Sequence, residues 1–296
     1  MGHQPAGRSV ERRSRDLLEF AKRSDLRGWF QAGSGLLVLF FDKPVDNALP
    51  GSYLVRLPMS FYQTYREQVC TAVGICHRLS ERMYVTGYGG NLAWKLEDDL
   101  LLITPTQMNK GAIQHEDMVF INKAGDTVEG HRRPTGETPM YLNFFRDRPD
   151  IQSVIHCHPP HTNAFTITKG RNWLMRPMFP ETITEVGPVP VVPYGEPLTQ
   201  KLADNFVPFL SRYNAFLMEN HGLVIMSRLD LEWVMMNTEL LEMTSVHIHD
   251  AMLHGTDLKE ISRPDICKMD NVMKKRNLPY PGLPGTYDSL EEVYDW

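Results

Sequence analysis

The chain has 296 residues, 42% hydrophobic and 23% charged, with a formal net charge of −5. That length supports a core without disulfides, the negative balance argues against a nucleic-acid partner, and the longest apolar run, residues 36–41, falls far short of the ~20 needed to span a membrane. Four scattered cysteines (Cys70, Cys76, Cys157 and Cys267) and an N-terminus without a charged-then-apolar pattern lead to the expectation of a cytoplasmic protein with free thiols.

Residues 1–57 read as an N-terminal extension. Arg8, Arg12, Arg13, Arg15, Lys22, Arg23 and Arg27 make it basic, partly offset by Glu11, Asp16, Glu19 and Asp25. The loosely helical spacing of Leu17, Leu18, Phe20, Ala21 and Leu26 predicts an amphipathic arm that packs on the body or on a neighbouring subunit. The main domain is expected over 58–255. Phe61, Tyr65, Val69, Ala72, Val73, Cys76, Leu79 and Met83 recur at helical spacing, which predicts one helix over 60–83, ended by Gly87, Gly89 and Gly90. Residues 91–96 and 100–104 read as a hairpin, and 118–122 with 127–129 as another. Thr135 is placed to cap a helix running to Arg146. A strand over 153–158 follows, then a helix opened by Pro159-Pro160, a short strand over 189–192 and a helix over 198–213. Strands over 215–219 and 223–227 flank Asn220-His221-Gly222, and a long helix is predicted over 231–253. Residues 256–296 are proline-rich and read as a tail packing on the body. Hairpins mixed with helices point to an α/β fold, a single three-layer α/β/α domain with a largely antiparallel central sheet.

The sharpest local signal is His156-Cys157-His158, at the end of an apolar strand. Residues two apart on a strand share a face, so both imidazoles point one way and Cys157 the other. Two imidazoles from one strand make a half-site for zinc or a similar ion. They equally make a hydrogen-bonded core pair, and the motif alone leaves both open. His221 is a third candidate, in a turn where Gly222 can take positive φ beside a ligand. Glu137 starts the predicted helix, where the helix dipole alone would favour a carboxylate. His161 is near enough to line the same place or simply to pack, and His247 and His249, two apart on a helix, should face different ways.

Taken in order, Gly90-Asn91-Leu92, Ile103-Thr104-Pro105-Thr106, Pro134-Thr135-Gly136-Glu137, His156-Cys157-His158, Val191-Val192-Pro193-Tyr194-Gly195 and Asn220-His221-Gly222 resemble the class II aldolase/adducin superfamily over roughly 60–255. The resemblance implies a homotetramer with active sites between subunits and a divalent metal, usually Zn2+, held by His156, His158 and His221. It implies Glu137 as the acid–base group and Asn91, Thr106, Thr135 and Gly136 as contacts to a sugar or sugar-phosphate substrate. The implied reaction is aldol cleavage of a ketose phosphate or related hydroxy-keto compound through an enediolate. Decarboxylation, dehydration or epimerisation on the same site are the alternatives, and a non-catalytic adducin-like domain is the reading from another class. Three departures stand out: Gln107 where the phosphate loop carries glycine, Thr135-Gly136 where two serines are usual, and Phe179, with no tyrosine over 176–182, near the place of the family's proton-donating tyrosine.

Overall fold

The computed structural model describes residues 26–32, 36–41, 52–56, 59–255, 257–294 and 296, with side chains from Met59 onward. The arm predicted around Leu17 to Ala21 lies outside the described residues. The chain divides into two compact units, Met1–Thr64 and Tyr65–Trp296. In the first, β1 (Leu26–Ala32), β2 (Leu36–Phe41) and β3 (Ser52–Arg56) form an antiparallel sheet in the order β1-β2-β3. That sheet was not among the sequence expectations, which had read the segment from its charge and helical spacing.

The second unit is built on an eight-stranded sheet. Its strands are β4 (Asn91–Glu97), β5 (Leu100–Ile103), β6 (Val119–Ile121), β7 (Thr127–Glu129), β8 (Ser153–Cys157), β9 (Val191–Val192), β10 (Ala215–Met218) and β11 (Leu223–Ser227). Their order is β7-β6-β5-β4-β8-β11-β10-β9, antiparallel throughout except where β9 pairs parallel to β10. β4 to β7 meander to one edge. β8 then returns to the middle, where β4 covers one side and β11 the other, so both rows of its backbone hydrogen bonds are used.

Strand alternation divides the sheet's residues between two helical layers. Ala93, Leu101, Ile103, Val119, Val154, Phe216, Val224 and Met226 pack with Met140, Tyr141 and Phe144 of the helix Thr138–Asp147 and with Leu202, Ala203 and Phe206. The opposite face, with Ile155 and Cys157, meets the helix Leu231–Leu253, and the helix Arg66–Glu81 packs on that helix in turn. Glu239 of the long helix accepts from Arg78 of the other and from Arg82 just past its end, tying the pair together. This is the three-layer α/β/α arrangement with a mostly antiparallel sheet. Asp230 caps the long helix by accepting from the Trp233 amide at 3.0 Å.

Several boundaries differ from the sequence expectations. The first helix breaks at Tyr65 into Phe61–Thr64 and Arg66–Glu81, because Tyr65 leaves helical geometry (φ −110°, ψ 34°). Thr135 does not cap the following helix; the helix starts at Thr138, and the Thr135 carbonyl instead accepts from the Thr138 amide and hydroxyl. The segment over 198–213 divides into Gln200–Asn205 and Val207–Leu210, with Leu198 left-handed at φ 67° and Pro208 within the second piece. The C-terminal segment is more than a wrapping tail. It contains the helix Arg263–Arg276, and Ile266, Met273, Leu290 and Val293 form a hydrophobic cluster with Ile183. No helix among the described residues is long and apolar enough to cross a membrane.

Candidate metal centre

β8 delivers His156, the residue just past its end is His158, and the β10–β11 turn delivers His221. Their ring nitrogens converge so that one from each lies within 4.8 Å of the others. The Nε2 atoms of His156 and His158 are 3.2 Å apart. Tetrahedral zinc with bonds of 2.0–2.1 Å separates its ligand nitrogens by about 3.3 Å, so this spacing suits two ligands of one ion. One shared proton between the rings would satisfy the same distance. The donor set and the tautomers weigh toward the cation. The buried His156 Nδ1 bonds the Leu223 carbonyl at 2.9 Å, which puts the proton on Nδ1 and the lone pair on Nε2. His221 Nδ1 is buried with no hydrogen-bond partner among the described residues. Burial first, and then the neighbouring imidazoles, push both His156 and His158 down to about 3, and burial lowers His221 as well. Three neutral, desolvated imidazoles facing one point are the form a metal requires.

The turn that presents His221 has a different cause from the expected one. Asn220, not Gly222, takes the left-handed backbone, at φ 54°. Gly222 is needed for space: a Cβ there would lie 2.4 Å from His158 Cδ2, 2.8 Å from His156 Cε1 and 2.9 Å from the Cys157 carbonyl. Cys157, on the other face, is buried and its thiol is pushed far up by burial.

Glu137 is nineteen residues upstream of His156 in sequence, yet its carboxylate joins the cluster. Its Oε2 lies 3.6 Å from His156 Nε2 and its Oε1 3.7 Å from His221 Nε2. It sits just before the helix Thr138–Asp147 but makes no side-chain cap bond there. Oε2 instead accepts from Asn91 Nδ2 at 2.7 Å, and the Tyr141 hydroxyl donates to the Asn91 side-chain oxygen. Asn91 is held there because β4 pairs it directly with His156. Tyr141, Asn91 and Glu137 thus form a buried chain of hydrogen bonds, and its terminal carboxylate lies within 3.7 Å of two of the imidazoles.

The remaining predicted contacts lie around this cluster. The Thr135 hydroxyl accepts from the Glu137 amide at 3.4 Å, and Gly136 lies between them in sequence. The Thr135 amide donates to the Thr104 carbonyl and the Thr106 amide to the Arg133 carbonyl, which fastens the 104–107 loop beside the Glu137 turn. Thr106 has no hydrogen bond to the histidines among the described residues. Gln107, at the family's glycine position, adopts φ 55°, so the loop takes a glycine-like shape with a side chain attached. Of the basic residues just upstream, His131 and Arg132 pair with Asp117.

Other candidates fall away from the cluster. His161 Nδ1 bonds Glu242 at 2.8 Å, and that same carboxylate accepts from the His161 amide and from the amide and hydroxyl of Thr162. His247 packs on Phe179 and His249 on Phe165, so the two diverge as expected. Glu181 and Tyr194, the side chains that could replace the proton-donating tyrosine the resemblance implies, are exposed and make no hydrogen bond to the histidines among the described residues. Tyr141 and the buried Lys110 are the neighbours that the sequence did not point to. Only Tyr141 left a usable signal, since it follows Glu137 by four residues, the spacing of one turn on the helix that the sequence predicts from Thr135 to Arg146.

Comparison with known proteins gives a consistent picture. The family profile of the "Class II Aldolase and Adducin N-terminal domain" matches residues 70–246. A 3-oxo-tetronate 4-phosphate decarboxylase of Pectobacterium atrosepticum is 31% identical over 191 residues, 64% of this chain and 86% of that protein. An L-fuculose phosphate aldolase of Methanococcus vannielii is 32% identical over 172 residues, 57% of this chain and 89% of that protein. Among solved structures, YgbL of Klebsiella pneumoniae superposes with a TM-score of 0.62 at 30% identity, covering 67% of this chain and 94% of its own.

Proposed function

The chain belongs to the class II aldolase/adducin family, and we propose that it is a metal-dependent carbon–carbon lyase acting on a phosphorylated keto sugar or keto acid. The observation that carries this reading is the convergence of three neutral imidazoles with one carboxylate 3.6 and 3.7 Å from two of them. His156, His158 and His221 would hold the ion, with zinc suited to an all-nitrogen protein donor set. Bound there, a divalent cation supplies Lewis acidity, polarising a substrate carbonyl and offsetting negative charge on its oxygen. Glu137 is the group that moves a proton at the carbon next to that carbonyl. The Asn91 amide, fixed by Tyr141, holds the Glu137 carboxylate in place and occupies one of its acceptor positions. Thr106, Thr135 and Gly136, on the two loops fastened beside Glu137, and Asn91 at the start of β4 are the proposed substrate contacts. The homotetramer and the cytoplasmic setting belong to the same proposal. The latter is in keeping with four free cysteines, Cys76 and Cys157 among them fully buried.

One observation favours decarboxylation over aldol cleavage. Aldol cleavage takes a proton from a hydroxyl and delivers one to carbon, whereas loss of carbon dioxide needs only the delivery. Among the described residues Glu137 is the one carboxylate within 4 Å of any of the three histidines, and Phe179, where the resemblance expects a tyrosine, packs on His247. The similarity to a 3-oxo-tetronate 4-phosphate decarboxylase supports the same preference.

The test is elemental analysis of the purified protein beside a His156→Ala variant, followed by a screen of 3-oxo acid phosphates for carbon dioxide release and of ketose phosphates for aldehyde release. About one divalent ion per chain, lost in the variant, with turnover in either arm, is the expected result. An inability to bind metal even after reconstitution would sink the enzyme reading and leave an adducin-like binding domain.

A further inference from the structure

Lys110 stands outside every motif and periodicity in the sequence, yet it is only 2% exposed. Its ammonium donates to the Met108 carbonyl at 2.9 Å and to the Tyr88 carbonyl at 3.3 Å, and it has no ion pair among the described residues. Burying an ammonium without a counterion is costly, and an apolar side chain of similar length would serve packing better. Burial pulls the Lys110 ammonium below the usual lysine range, with Cys76 and Glu137 acting to hold it up.

The two carbonyls it grips belong to different loops. Met108 ends the loop that carries Thr106 and the left-handed Gln107. Tyr88 lies in the glycine turn, where Gly87 and Gly90 have φ of 53° and 68°. That turn leans directly on the histidine cluster. A Cβ on Gly89 would lie 3.1 Å from two atoms of the His158 ring, and one on Gly90 would lie 3.0 Å from the His156 carbonyl. The next residue is Asn91, which donates to Glu137.

We propose that Lys110 is a positioning residue whose ammonium staples the 104–108 loop to the 87–90 turn. The staple holds the His158 ring and the Asn91–Glu137 pair in place. Its bearing on catalysis rests on the function proposed above, whereas the stapling itself does not.

The test compares wild type with Lys110→Met, Lys110→Arg and Lys110→Cys, the last treated with 2-bromoethylamine to rebuild an ammonium or with a methylthiolating reagent to leave a neutral group. Wild type is treated in parallel, because Cys70 is exposed. The first readout is amide hydrogen exchange of the metal-free proteins. Peptides covering 86–91 and 104–109 should exchange about tenfold faster in Lys110→Met, with β10, β11 and the long helix unchanged. The second is zinc affinity by chelator competition, which should fall about tenfold or more. Aminoethylation should restore both and methylthiolation neither, while Lys110→Arg should keep most of the protection. Wild-type exchange in Lys110→Met, or equal rescue by the neutral group, would overturn the proposal. If Lys110→Met fails to fold, the two caps on the Lys110→Cys protein decide. Wild-type protein that binds no zinc would defeat the proposed function while the exchange comparison still judges the staple.

Discussion

Replacing Gly222 by alanine probes the geometry of the histidine cluster without removing any of its members. The new Cβ would stand 2.4 Å from His158 Cδ2, 2.8 Å from His156 Cε1 and 2.9 Å from the Cys157 carbonyl. Ordinary contact begins near 3.4 Å, so the His158 ring would have to retreat by about 1 Å. None of the three neighbours is the free end of a flexible chain: two are atoms of the candidate ligands, and the third is backbone of the central strand. Overpacking of this kind costs about 1–3 kcal/mol. Metal sites tolerate errors of only about 0.2 Å in ligand distance, so the retreat should also remove His158 from the coordination sphere. The assay is zinc affinity by competition with a chromophoric chelator, paired with urea unfolding of the metal-free protein. The expected result is a loss in affinity of at least about a hundredfold, the upper end of what disturbing a ligand's support does, with a 1–3 kcal/mol loss of stability. Gly74→Ala is the control. It lies on the helix Arg66–Glu81 with nothing within 4 Å of its Cβ, and it should stabilise by about 0.5–1 kcal/mol. Wild-type zinc affinity and stability in Gly222→Ala would show that the rings are not packed against that turn as described.

Four further outcomes follow from the same structure. Asn91→Leu strips a donor from the buried Glu137 and an acceptor from the Tyr141 hydroxyl, so urea unfolding should show a loss of about 1–3 kcal/mol. Arg148, fully buried and bonded to Asp150, to Asn214 and to the carbonyls of Leu210, Tyr213 and Gly282, should cost about 3–5 kcal/mol when changed to Met, measured the same way. Burial alone would raise the Asp150 carboxyl, but hydrogen bonds from Arg148 and Arg228 outweigh it and hold it below the usual aspartate value of 3.8. Its contribution is therefore fully present above that value and is lost as pH falls through the lower folded value. Melting temperatures of Asp150→Asn and wild type should accordingly converge only in acid below about pH 4, and a gap that stays constant into strong acid would contradict the assignment. In native protein a thiol reagent should label the exposed Cys70 at once and leave Cys76 and Cys157 until unfolding, because both are buried and burial pushes the Cys76 thiol up to about 12; rapid labelling of either would refute the described core.

Local chemistry was legible in the residue order. Alternation along an apolar strand was enough to put His156 and His158 on one face and Cys157 on the other, and the turn residues around His221 marked a presenting loop. The apolar face of the helix predicted over 60–83 and the hairpin patterns also stood in the sequence, because they depend on neighbours two to four residues apart. What the tertiary structure alone decided was which distant segments meet. β8 lies between β4 and β11, and that placement brings Asn91 beside His156 and leads Glu137 away from its helix end to the imidazoles. The turn at His221 depended on an unpredicted division of labour, with Asn220 taking the strained backbone and Gly222 yielding space. The Tyr141 hydroxyl and the Glu242 carboxylate satisfy partners far away in sequence, and the Lys110 ammonium joins a carbonyl two residues away to one twenty-two residues away. A buried polar group is fixed by whatever donors and acceptors the fold leaves around it, and no period of residues along the chain records that.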